Sequence, residues 1–201
     1  MTSRLVAGGA FAAVAAILSI VGTARGNLID FEELILGTRY FDGEVITSAG
    51  VNMTVLGTGH IDVEGFNLAG GAGNELEFFG GSNATGGMSA VFDFGADVEN
   101  LSLLFAYGGG TANLSINGDT IILFDFAADL PASLGGVNIT LTGNAFDPSM
   151  LSFDGVVSAF SIGGQEFNVD NVSFDVIPAP GAIALFGLAL MRRRPRHRAT
   201  S

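Results

Sequence analysis

Three carboxylates carry the most defined chemistry in this sequence. Asp30 and Glu32 lie two apart in Ile29-Asp30-Phe31-Glu32, so on an extended first strand both project to one face while Ile29 and Phe31 face a core. Asp170 stands near the other end, where the apolar phase changes. Phe167 and Val169 share one face, Val172, Phe174 and Val176 take the other, and a bulge at Asp170-Asn171 would produce that break. If the first and last strands are neighbours, Asp170 can join Asp30 and Glu32 around a hard cation held by carboxylate and carbonyl oxygens. The competing reading is a solvated or hydrogen-bonded set of carboxylates with no metal.

Other catalytic material is scarce. The chain has no cysteine, which excludes thiol catalysis and thiolate metal sites, and His60 is the one histidine outside the basic C-terminus. A Ser-His-Asp arrangement would have to run through His60, with Asp62 two residues on as its partner. Paired carboxylates serve glycoside hydrolysis, but sequence spacing among 20 acidic residues does not set the separation that such a mechanism requires. No lysine follows the glycine-rich stretches, so none reads as a phosphate cradle. The chain is therefore expected not to be an enzyme. Sugar binding would draw on flat rings: there is no tryptophan, leaving Tyr40 and Tyr107, and Phe79, because adjacent Phe78 and Phe79 on a strand point to opposite faces.

The elements that must position these residues read as strands. Thirty glycines and abundant Phe, Val, Ile and Leu favour short strands joined by turns. Val137-Asn138-Ile139-Thr140-Leu141-Thr142 alternates, as do Met88, Ala90, Phe92 and Phe94. Asn117-Gly118 and Gly163-Gly164 read as hairpin turns, and Gly70-Gly71-Ala72-Gly73 and Gly108-Gly109-Gly110 as loop chemistry. About ten strands fit, and the expected architecture is all-β: an antiparallel β-sandwich of jelly-roll type.

Both ends carry separate signals. Met1 to Arg4, the apolar stretch Leu5 to Val21 and the small residues after it have the form of a secretory signal peptide, with cleavage favoured after Gly26; a signal anchor is the alternative. At the C-terminus, Pro178-Ala179-Pro180-Gly181 precedes an apolar run to Met191 and then Arg192, Arg193 and Arg194 within a cluster of five arginines. As a helix the run from Gly181 to Met191 reaches roughly 16 Å against about 30 Å of bilayer hydrocarbon, which fits transient insertion better than a permanent span. The arginines would stay on the cytoplasmic side, leaving the rest of the chain across the membrane. The division is 1–26 signal peptide, 27–176 β-sandwich domain and 177–201 sorting segment. All 20 acidic residues fall in the central domain against Arg39 alone, which excludes nucleic-acid binding and attracts divalent cations; acidity that merely keeps an exported protein soluble is the plainer reading.

The C-terminal layout resembles the PEP-CTERM sorting signals of Gram-negative bacterial surface proteins, with Ala179 where that signature has glutamate. The resemblance implies processing by an exosortase, a membrane-embedded cysteine protease, and a cell-surface or extracellular-matrix destination after transient membrane association. Separately, Ile29-Asp30-Phe31-Glu32 and Val169-Asp170-Asn171-Val172 are similar to the first and last strands of jelly-roll carbohydrate-binding modules. That likeness implies a structural Ca2+ at the carboxylates and an extracellular polysaccharide as partner. The leading expectation is a non-enzymatic exported surface protein; the alternatives are a calcium-supported carbohydrate-binding module and, third, a polysaccharide-active enzyme.

Overall fold

Alternating sequence becomes strand throughout the computed structural model, which describes residues 26–81 and 87–179. The expected signal peptide, Pro180, Gly181 and the arginine cluster lie outside the described residues. In chain order come β1 (Asn27–Ile29), β2 (Arg39–Tyr40), β3 (Val45–Ser48), β4 (Val51–Gly57), β5 (Gly59–Glu64), β6 (Glu75–Gly80) and β7 (Met88–Asp93). They are followed by β8 (Val98–Ile116), β9 (Asp119–Leu123), the one-turn helix α1 (Phe126–Asp129), β10 (Ser133–Leu134), β11 (Val137–Thr142), β12 (Ser149–Asp154) and β13 (Phe160–Val176). The 13 strands exceed the ten or so expected because short edge pieces such as β2 and β10 carry too few residues to show a period.

Two long strands organise the sheet. β8 and β13, of 19 and 17 residues, pair antiparallel from Phe160↔Ile116 to Val176↔Val98. On its other edge β13 takes β7 at 160–164, β6 at 166–169 and β1 at 172–174. The register shifts between Gly164 and Phe167, beside Gly109 (φ 136°) and Gly110 (φ 78°) of β8, and there the sheet divides into two leaves. One leaf adds β7, β4 and β3 on one side and β9 on the other; the second runs β10-β11-β12-β8-β13-β6-β5-β2.

The leaves share one core in a sandwich-like, antiparallel all-β fold. Phe160 of the first leaf meets Phe92 at 5.4 Å and Phe153 of the second at 5.3 Å between ring centroids. Phe105, Phe126 and Phe167 form a second ring cluster at 4.9–5.6 Å. Each such ring contributes about 1.5–3 kcal/mol by leaving water.

Two glycine pairs differ from expectation. Gly163-Gly164 is not a hairpin turn: it lies inside β13, where a Cβ on Gly163 would sit 2.0 Å from the Met88 carbonyl oxygen and one on Gly164 would sit 2.9 Å from that of Thr111. The pair allows strands on both sides to approach, a demand that looks like a turn in sequence. Gly108-Gly109-Gly110 likewise lies within β8. Asn117-Gly118 is the β8–β9 turn, both residues at positive φ. Its Asn117 amide also accepts from Ser158 N and donates to the Val156 carbonyl.

Candidate cation site

The first and last strands are neighbours, paired Asn27↔Phe174 through Ile29↔Val172. β1 ends at Ile29, so Asp30 and Glu32 sit on its exit turn rather than on the strand itself. Phe31 is buried at φ 59°, and this left-handed step sends Phe31 into the core while the flanking carboxylates stay outside. Across from them the pairing of β13 is broken between Asp170 and Ser173, with Asn171 at φ 47°.

Asp170 is fully buried. Its Oδ1 accepts from the Asn171 N–H at 2.6 Å, whereas its Oδ2 has no hydrogen-bond partner. Burial pushes the carboxyl up to about 6; the Asn171 N–H works against that, and the charges of Glu75, Glu32 and Asp30 add to it. A buried carboxylate oxygen without a donor is costly, and it is the kind of atom that a hard cation satisfies.

The loop 65–74 closes over this position. Glu75, fully buried, accepts from Leu68 N and Ala69 N with its two oxygens and from the Asn168 amide at 3.2 Å, which pins the loop to the sheet. Glu32 accepts from Asn74 N at 3.0 Å, and the Asn74 amide donates to the Leu34 carbonyl at 2.9 Å, tying this loop to the exit of β1. Glycine is required at two points: a Cβ on Gly71 would fall 1.5 Å from Asp170 Oδ2, and one on Gly73 would fall 1.8 Å from Glu32 Oε1. Asp30, Glu32, Ala72, Gly73 and Asn171 line an open cavity of about 290 Å³.

These donors are all oxygens or an amide, which suits calcium or magnesium rather than zinc or copper. Among the described residues no three Asp, Glu or His side chains are already gathered at chelating distance. Asp170 is fixed by burial, while Asp30 and Glu32 stand on the rim and reach inward by side-chain rotation. Glu75, Asn168, Asn171, Gly71 and Gly73 complete the surroundings, and none was singled out by sequence reasoning. The glycine-rich run just before β6 was the available signal.

The ring residues expected to meet a ligand are elsewhere. Tyr107, Phe167, Phe78, Ile61 and Tyr40 form one row of cross-strand partners on the inward face. Tyr107 is therefore no surface platform: it packs on Phe126, and its hydroxyl donates to the Gly110 carbonyl. Tyr40 is half-buried against the core, four strand spacings or about 19 Å from Tyr107. Phe79 does face outward, 36% exposed and stacked on His60 at 4.9 Å.

His60 Nε2 lies 3.6 Å from Asp62 Oδ2, but Asp62 is held by Arg39 through two hydrogen bonds of 2.8 and 2.7 Å. That pair commits the single cation of the described residues. Glu77, the cross-strand partner of Asp62, is pushed up to about 7 by partial burial and by the charges of Glu64, Glu75, Asp62 and Glu166. Pro178 and Ala179 lie exposed just past β13, and among the described residues no helix is long and apolar enough to cross a membrane. Comparison with family models, with curated proteins and with solved structures finds no match to this chain.

Proposed function

We propose that the chain is a non-enzymatic, exported cell-surface or extracellular-matrix protein: a jelly-roll-type sandwich delivered by an N-terminal signal peptide and sorted through its PEP-CTERM-like tail by an exosortase-type protease. The observation that carries this reading is the position of the domain ends. Asn27 pairs with Phe174, and Val176 pairs with Val98, so the segments before 27 and after 177 leave the sheet side by side and neither supplies a strand to it. Removing both would leave every strand pairing of the domain in place. Mass spectrometry of the protein recovered from its native cells tests this: the expected mature form starts near Asn27 and ends near Pro180, whereas one retaining Arg198 overturns the sorting reading.

The domain is further held by a divalent cation of the calcium type, bound by Asp170 with Asp30 and Glu32. The unpartnered Asp170 Oδ2 supports this. The cation supplies charge balance and oxygen coordination; the residues supply a fixed inner carboxylate and two that close from the rim. Thermal unfolding with calcium and with chelator is the check, and a cation bound to the folded state at one hundred times its Kd adds about 2.7 kcal/mol. An unchanged midpoint overturns the site.

A further inference from the structure

We propose that the Asp170 cavity is also a ligand site: with the cation in place, it takes vicinal hydroxyls of a neutral glycan, with the Asn171 amide as the second contact. The proposal rests on the cation reading above and names what the open side of that site receives.

Room is the first argument. The cavity of about 290 Å³ is open to solvent and close to the lower end of small-ligand sites, about 300 Å³, whereas a water occupies about 30 Å³. A cation and a few waters leave space for a sugar ring. Gly73 keeps that space, since a Cβ there would run into Glu32. Lining chemistry is the second. Carboxylates, an amide and the small residues Ala72 and Gly73 form the walls, with no large apolar side chain among them. Such walls favour a polyol over an apolar ligand.

Charge narrows the choice. Three carboxylates exceed one divalent cation by one negative charge, and the domain around them has Arg39 alone against 20 acidic residues. An anionic polymer is repelled, and an amine would compete with the cation for the same oxygens. A neutral diol does neither. It offers two oxygens to a metal that takes 6–8 oxygen ligands, and its hydroxyls can pair with the Asn171 amide. The stacking route is closed in any case, because Tyr107 is buried and Tyr40 faces inward.

The test is affinity electrophoresis of the full chain in gels containing galactomannan, a neutral polymer, run with calcium and with chelator beside thermal melts in the same buffers. Retardation that requires calcium is expected. Asn171→Gly, which keeps the left-handed backbone that glycine adopts freely, should weaken retardation about five- to tenfold, the loss of one hydrogen bond, while the calcium shift in melting stays. Asp170→Asn should lose both. A calcium shift in melting without retardation overturns the glycan proposal and leaves the cation reading standing. No calcium shift overturns both, and retardation that persists in chelator places the glycan elsewhere and overturns this site. Binding of a polyamine that calcium displaces would assign the cavity to amines instead.

Discussion

Asp170 gives up its hydration and receives in return one N–H, from Asn171. With no cation bound, its carboxyl sits at about 6 against an ordinary 3.8. The folded state then holds this proton more tightly than the unfolded chain, so Asp170 favours the fold at pH 4 and weakens it as pH rises through 6, by on the order of 3 kcal/mol. Two opposite outcomes follow for one substitution. In chelator at pH 7.5, Asp170→Asn should melt no lower than the parent, and the gap should shrink toward pH 4. In calcium the parent should melt higher. An Asn variant that is less stable than the parent in chelator at pH 7.5 would show that the charged carboxylate has a structural partner.

At the scale of elements, the glycines of β13 separate two roles that sequence writes identically. Gly163→Ala would drive a methyl into the Met88 carbonyl and should cost about 1–3 kcal/mol or more in urea unfolding, because two β-strands must part. Gly118→Ala meets no atom within 4 Å and should cost only the strain of φ 90°. Equal losses from the two would remove the close-approach explanation. The alternation of Val137 to Thr142, the Asn117-Gly118 turn, the β1–β13 neighbourhood and the break at Asp170 were legible because each is local or leaves a phase change. The fusion of predicted short strands into β8 and β13 was not. Their bend points look like chain reversals, and only the partner strands show that the chain runs straight on. Glu75 was hidden for a related reason, since its burial is created by a loop ten residues earlier folding back over it. Tyr107 was misplaced because its inward phase is set through the cross-strand row with Phe167 and Phe78, not by its neighbours Ala106 and Gly108.

Taken as a whole molecule, the domain is a field of one sign. Arg39 stands alone against 20 carboxylates and is tied to Asp62, so mutual repulsion works against folding. Raising sodium chloride from 0.01 to about 0.15 M shortens the screening length from about 30 to about 8 Å, and the melting temperature of the chelated protein should rise over that interval. A flat or falling response would mean that the carboxylates are already compensated locally. Divalent salt should act at far lower concentration than sodium if Asp170 is its target.

The strand that ends the domain is also the one bonded along both edges. β13 pairs with β8 from Phe160 to Val176 and with β7, β6 and β1 on its other side, and the Ile177 N–H continues the ladder to the Asp97 carbonyl. Any tension applied through the C-terminal segment therefore enters at the centre of the sheet and runs along the strand axis. In an antiparallel sheet the bonds lie across that axis, so such a pull loads many of them at once in shear, where an edge strand would peel one bond at a time. A protein tethered by this end would resist being torn from its attachment before the rest of the fold had begun to yield.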